Sequence, residues 1–178
     1  MKIDSLERHQ VSQMNSYMFD TNVWLYIYGP MAGAETKKQR LYAQLLRDIA
    51  DRKAGLFITS MVLSEYINRV LRMSFEQWKS NTGNIKADYK RDYRGTEDFK
   101  DSLADVKAQV KDIMSNCMAN ASDDFNSLEV NAIIDSMSNT ADFNDVYLVS
   151  LCESRKWCFV SDDKDIQNIP SNIKLITA

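Results

Sequence analysis

Short apolar runs stand at 17–19 (YMF), 56–59 (LFIT), 158–161 (CFVS) and 173–176 (IKLI), with helix-like stretches spaced among them. This alternation constrains the fold more than any other feature. Apolar runs without polar alternation belong to strands buried on both faces, and strand–helix alternation builds a parallel sheet covered by helices. The segment SLEVNAII (127–134) reads as a third short strand or as a helix. With 178 residues, only 5 Gly and 2 Pro, the chain suits one α/β domain with short connections.

The helical stretches are legible by period. NVWLYIYG reads as one or two turns ending at Gly29–Pro30. From Glu35 to Lys53, Leu41, Leu45, Leu46 and Ile49 share one face, and Gly55 ends the pattern. SMVLSEYINRVLRM follows LFIT, with Ser60 as its cap. Thr96 caps a long helix whose stripe runs Phe99, Leu103, Val106, Val110, Ile113 and Cys117. Residues 1–15 form a polar extension with room for a short helix. The segment from about 73 to 127 is a helical arm inserted into the domain.

Composition excludes several function classes. With 22 Lys+Arg against 25 Asp+Glu, the net charge of −3 argues against coating nucleic acid by bulk charge. Cys117, Cys152 and Cys158 lack CxxC spacing, so reduced core thiols and a cytoplasmic location are expected. The beginning of the chain lacks a signal-peptide pattern and no segment has transmembrane length, so no membrane role is expected. The one histidine, His9, lies in the polar extension. Catalysis by paired histidines is excluded, and hydrolytic chemistry would have to rest on carboxylates.

Parallel sheets bind ligands at the carboxyl ends of their strands. Asp20 ends the first run, Glu65 lies in the second turn after LFIT, and Asp162, Asp163 and Asp165 follow CFVS. Asp145 opens a helix on the same stripe as Leu148, Val149 and Cys152. Each acid has a plainer explanation: a helix cap, an exposed helical glutamate, a first-turn acid, a solvated turn. Together they gather at one end of one sheet, where unpaired carboxylates repel unless a divalent cation intervenes. Oxygen-only donors favour Mg²⁺ or Mn²⁺. A cation held there can activate water against a phosphodiester. Thr21 and Asn22 would orient Asp20 or contact a phosphate.

These segments resemble the PIN domain, a metal-dependent nuclease fold that includes the toxins of VapBC-type toxin–antitoxin pairs. FDTNVW is similar to the family's opening D-[TS]-[NS] motif, and ITSMVLSEYINRV to its glutamate-bearing strand–helix segment. NDVYLVSLC is similar to the segment opened by an aspartate, and FVSDDKDI to T-x-D-x-D-F, with Ser161 for the Thr and Ile166 for the Phe. The resemblance implies strand order 3-2-1-4-5 and Mg²⁺- or Mn²⁺-dependent RNA hydrolysis. It implies an active site of Asp20, Glu65, Asp145 and Asp163, with Asp165 as a further metal ligand and Thr21, Asn22, Ser161 and Asp162 in support. Among the last three acids, Asp163 is favoured. An antitoxin protein is the implied partner of a toxin, and a homodimer is compatible.

For RNA, IKADYKRDYRG offers Lys86, Lys90, Arg91 and Arg94 for phosphates, interleaved with Tyr89 and Tyr93 for stacking on bases. A solvated loop explains it equally well. Lys37, Lys38 and Arg40 form a second basic patch. Two other functions compete. One is a non-catalytic RNA-binding or protein-interaction module on the same fold. The other is a phosphatase of the haloacid dehalogenase type, which wants a second acid where Asn22 stands.

Overall fold

The computed structural model describes residues 1–30 and 36–178. Among these, the sheet has strands β1 (Lys2–Ser5), β2 (Ser16–Phe19), β3 (Gly55–Ile58), β4 (Ala119–Asn120), β5 (Cys158–Val160) and β6 (Lys174–Thr177). All neighbours are parallel, in the order β1-β6-β5-β2-β3-β4. Read from β4 to β6, this is the expected five-strand order. The third strand is Ala119–Asn120, whereas SLEVNAII supplies a 3₁₀ turn and the helix Val130–Asp135.

The extension contributes a strand to the sheet. β1 pairs with β6 from Lys2↔Lys174 to Ser5↔Thr177, and Asp4 reaches Lys174 at 2.8 Å. A four-residue edge strand with Ile3 half exposed has too little apolar alternation to announce itself. His9 packs behind it, against the Tyr17 hydroxyl at 3.2 Å and Asp4 at 3.5 Å.

The helices are α1 (Thr21–Tyr28), α2 (Lys37–Asp51), α3 (Ser60–Thr82), α4 (Glu97–Asn116), α5 (Val130–Asp135) and α6 (Phe143–Arg155). α2 is capped by Thr36 and buries Tyr42, Leu45, Leu46 and Ile49. Its expected first residue, Glu35, lies outside the described residues. The turn after α2 is made by Lys53 at φ 53°, and Gly55 already belongs to β3. Thr59, not Ser60, caps α3, accepting from the Val62 N–H at 3.3 Å. α3 continues well past Met73 to Gly83, whose φ of 68° ends it. The expected Thr96 cap of α4 is present, accepting from the Phe99 N–H at 3.2 Å.

α1 touches α2 and α3, and α3 packs along α4; separately, α5 packs on α6. From β2 the chain steps through β3 to β4, then returns to place β5 on the other side of β2. With right-handed crossovers this reversal moves the helices to the opposite face and opens a crevice between the ends of β2 and β5. Phe19 pairs with Val160 there, so the next residues, Asp20 and Ser161, emerge side by side.

The arm belongs to the main core. Val106 and Ile113 of α4 are buried in it, while an aromatic knot of Phe75, Trp78, Tyr89, Tyr93 and Phe99 ties α3 to the start of α4. No helix among the described residues is long and apolar enough to cross a membrane. Ile113→Ala should cost about 2–5 kcal/mol in one cooperative transition. Ile85→Ala, at an exposed arm position, should shift stability by less than about 0.5 kcal/mol. Denaturant unfolding checks both, and a separate transition for the arm would contradict a shared core.

Candidate active site

The apolar run of β2 leads straight into Asp20, which is only 9% exposed and caps α1. Its Oδ1 accepts from the Thr21 N–H at 2.6 Å. Its Oδ2 accepts from the Ser161 hydroxyl at 2.7 Å and from Asn22 Nδ2 at 2.7 Å. Asn22 Nδ2 also reaches Ser161 Oγ at 3.2 Å, and its Oδ1 accepts from the Asp162 N–H. Ser161 Oγ in turn accepts from the Asp163 N–H at 3.1 Å. These bonds hold the ends of β2 and β5 in one rigid lattice. The hydroxyl at Ser161 does this as well as a threonine would.

Glu65 projects from the second turn of α3 toward the same hollow. Its Oε2 accepts from the Thr21 hydroxyl at 3.0 Å, and its Oε1 pairs with Arg69 at 2.9 Å. Asp145 is the third residue of α6 and forms a capping box with Asp142, so the plain helix-terminal role is real. That role does not exhaust it. Burial first, and then the charges of Asp142, Asp163 and Glu65, push its carboxyl up to about 6 despite the Asp142 N–H. Asp20 is likewise raised to about 6. Burial is the main cause, opposed by the bonds from Ser161 and Thr21 and reinforced by Glu65 and Asp145. Asp20 thus feels the charges of Glu65 and Asp145, and Asp145 feels those of Asp163 and Glu65.

The other two expected acids have different surroundings. Asp162 is bound by Lys38 Nζ at 2.8 and 2.9 Å and by the Tyr26 hydroxyl at 3.2 Å, which makes it a structural ion pair. Asp165 is exposed at the start of a 3₁₀ turn, its N–H bonded to Asp163 Oδ1. Among the described residues, no group of three or more Asp, Glu, His or Cys side chains is placed to hold a metal ion. Arg69, unremarked in the sequence, occupies one oxygen of Glu65. Its position four residues after Glu65 was the available signal.

The loop expected to hold RNA is largely self-satisfied. Tyr93 is fully buried in the aromatic knot and bonded to Ser102 at 3.0 Å, so it offers no face to a base. Tyr89 is half-buried beneath Arg72 (4.4 Å) and Arg94 (5.5 Å). Arg91 is engaged by Asp92 at 2.8 Å. Lys86 and Lys90 are exposed. In the second basic patch, Lys37 pairs with Glu7 and Lys38 with Asp162.

The PIN domain model matches residues 17–172. The chain belongs to the PIN domain family. Among solved structures, it is similar to VapBC2 from Rickettsia felis bound to a DNA fragment from their promoter. That match has a TM-score of 0.53 and 14% identity, covering 90% of this chain and 97% of the other. Comparison with curated proteins returns no match. PIN domains are generally nucleases.

The raised carboxyls of this PIN domain have a thermodynamic consequence. Asp20 is held above its ordinary value of 3.8, so the folded chain keeps a proton that the unfolded chain loses between about pH 4 and 6. Its contribution to stability therefore declines through that window and stays low above it. The melting temperature of Asp20→Asn minus that of the native chain should grow from pH 4 to 6 and level off above, in chelator. A difference independent of pH would show that Asp20 titrates normally.

Proposed function

We propose that this chain is a Mg²⁺- or Mn²⁺-dependent endoribonuclease, with Asp20, Glu65, Asp145 and Asp163 as its working acids. One observation carries the reading: burial pushes the Asp20 and Asp145 carboxyls up to about 6, and the charges of Glu65 and Asp163 are among those that add to the shift. The donor set is oxygen-only, and Asp20, Asp145 and Asp163 have no ion-pair partner among the described residues. Such donors fit a hard divalent cation. Asp165 is a further candidate ligand and Asp162 a supporting residue.

When bound, the cation would supply charge stabilisation for the phosphodiester and a lowered pKa for water. The chain's own residues do the rest. Ser161, Asn22 and the Thr21 N–H fix both oxygens of Asp20, so no reorganisation is needed there. Thr21 orients Glu65 from the same turn. Asp145 is fixed in the first turn of α6 by its capping box with Asp142.

Membership of the family supports nuclease chemistry, and the VapBC2 likeness makes an antitoxin the partner to seek. A homodimer and a cytoplasmic location are part of the same proposal. A non-catalytic module on this fold draws on one specific contact, Arg69 seated on Glu65. Cleavage of single-stranded RNA should require Mn²⁺ or Mg²⁺ and stop with chelator. Asp20→Asn should lower it at least about 100-fold with the fold intact by circular dichroism. Absence of metal-dependent cleavage by the native chain would favour the module instead.

A further inference from the structure

Two grooves meet at the acids. One, about 610 Å³, runs along α3 and is lined by Glu65, Asn68, Arg69, Arg72, Met61 and Met73, among others. The second, about 490 Å³, is lined by Asn22, Lys38, Lys164, Asp163 and Arg69. Arg69 and Leu25 border both, so the grooves adjoin in one track that passes Glu65 and Asp163. Cations border it: Arg69 and Arg72 on α3, and in the second groove Lys164 together with Lys38, which Asp162 pairs.

From this track we infer that a single-stranded nucleic acid lies along α3, with Arg69 and Arg72 as its phosphate contacts. The inference rests on the nuclease reading above, because the track is defined by its passage over those acids. Charge decides the occupant. A polyanion crossing carboxylates needs cations along its path, and the track provides them. Arg69 is free enough to serve. Its side chain is 57% exposed, and an exposed ion pair four residues apart on a helix is screened by solvent and only weakly held. Exchanging Glu65 for a phosphate oxygen therefore costs little, and it releases Glu65 toward the other acids. Arg72 is held in place over the Tyr89 ring, where Arg94 joins it. The arm would thus act by bracing an arginine, and its tyrosines would not stack on bases.

Fluorescence anisotropy with a labelled single-stranded RNA oligonucleotide, in chelator so that nothing is cut, tests this on the full chain. Arg69→Gln with Arg72→Gln should weaken binding at least about tenfold and reduce the salt slope by about 1.4, near 0.7 for each lost phosphate contact. Arg69→Lys with Arg72→Lys should retain most of the slope, which separates lost charge from misfolding. Lys107→Ala with Lys111→Ala, on exposed positions of α4, should bind like the native chain. An unchanged slope in the glutamine variant, equal loss in the α4 variant, or no measurable binding by the native chain would overturn the inference. Cleavage measured alongside keeps the two readings apart. Metal-dependent cutting with an unchanged slope defeats the track alone, whereas slope loss without any cutting defeats the nuclease reading alone.

Discussion

The carboxylate of Asp20 sits where water scarcely reaches, at the end of the central strand, and the surrounding structure is arranged to keep it there. An isolated buried charge would cost several kcal/mol or neutralise itself. Three donors from α1 and the end of β5 offset part of that cost, and the carboxyl rises to about 6 instead of becoming permanently neutral. The same bonds stitch β2 to β5 at the point where the sheet reverses direction. Fold and site therefore share their polar contacts.

The acids around Asp20 come from elements with otherwise ordinary duties. Asp145 belongs to a capping box and Glu65 to an ion pair along α3, each sufficient to explain a single residue. Their mutual repulsion marks the cluster. It is an arrangement that folding alone would not favour, because the Asp20 and Asp145 carboxyls are held above their ordinary range. Arg69 moderates the repulsion at one corner while leaving the other three acids without a cationic partner among the described residues.

Much of this was legible along the chain. Apolar runs, helical stripes and the caps at Thr96 and Gly29 follow local rules, and so did the order of the five main strands once the motifs were recognised. The misses have a common cause. β1 is an edge strand held by backbone bonds, and the two-residue β4 is shorter than any periodic signal. Phe75 and Trp78 looked irregular because they pack into an aromatic knot with residues fourteen or more positions away. The same knot buries Tyr93, which read from its neighbours as a base platform.

Local chemistry along the chain determined which residues could cap, pair or cover a sheet, and placed the acids at the ends of apolar runs. Which acids face one another was decided only by the tertiary structure. Asp162 and Asp163 are adjacent, yet Lys38, from a helix over a hundred residues away, takes the first, while the second couples to Asp145. Orientation of that kind depends on how helices lie across the sheet, and no spacing along the chain encodes it.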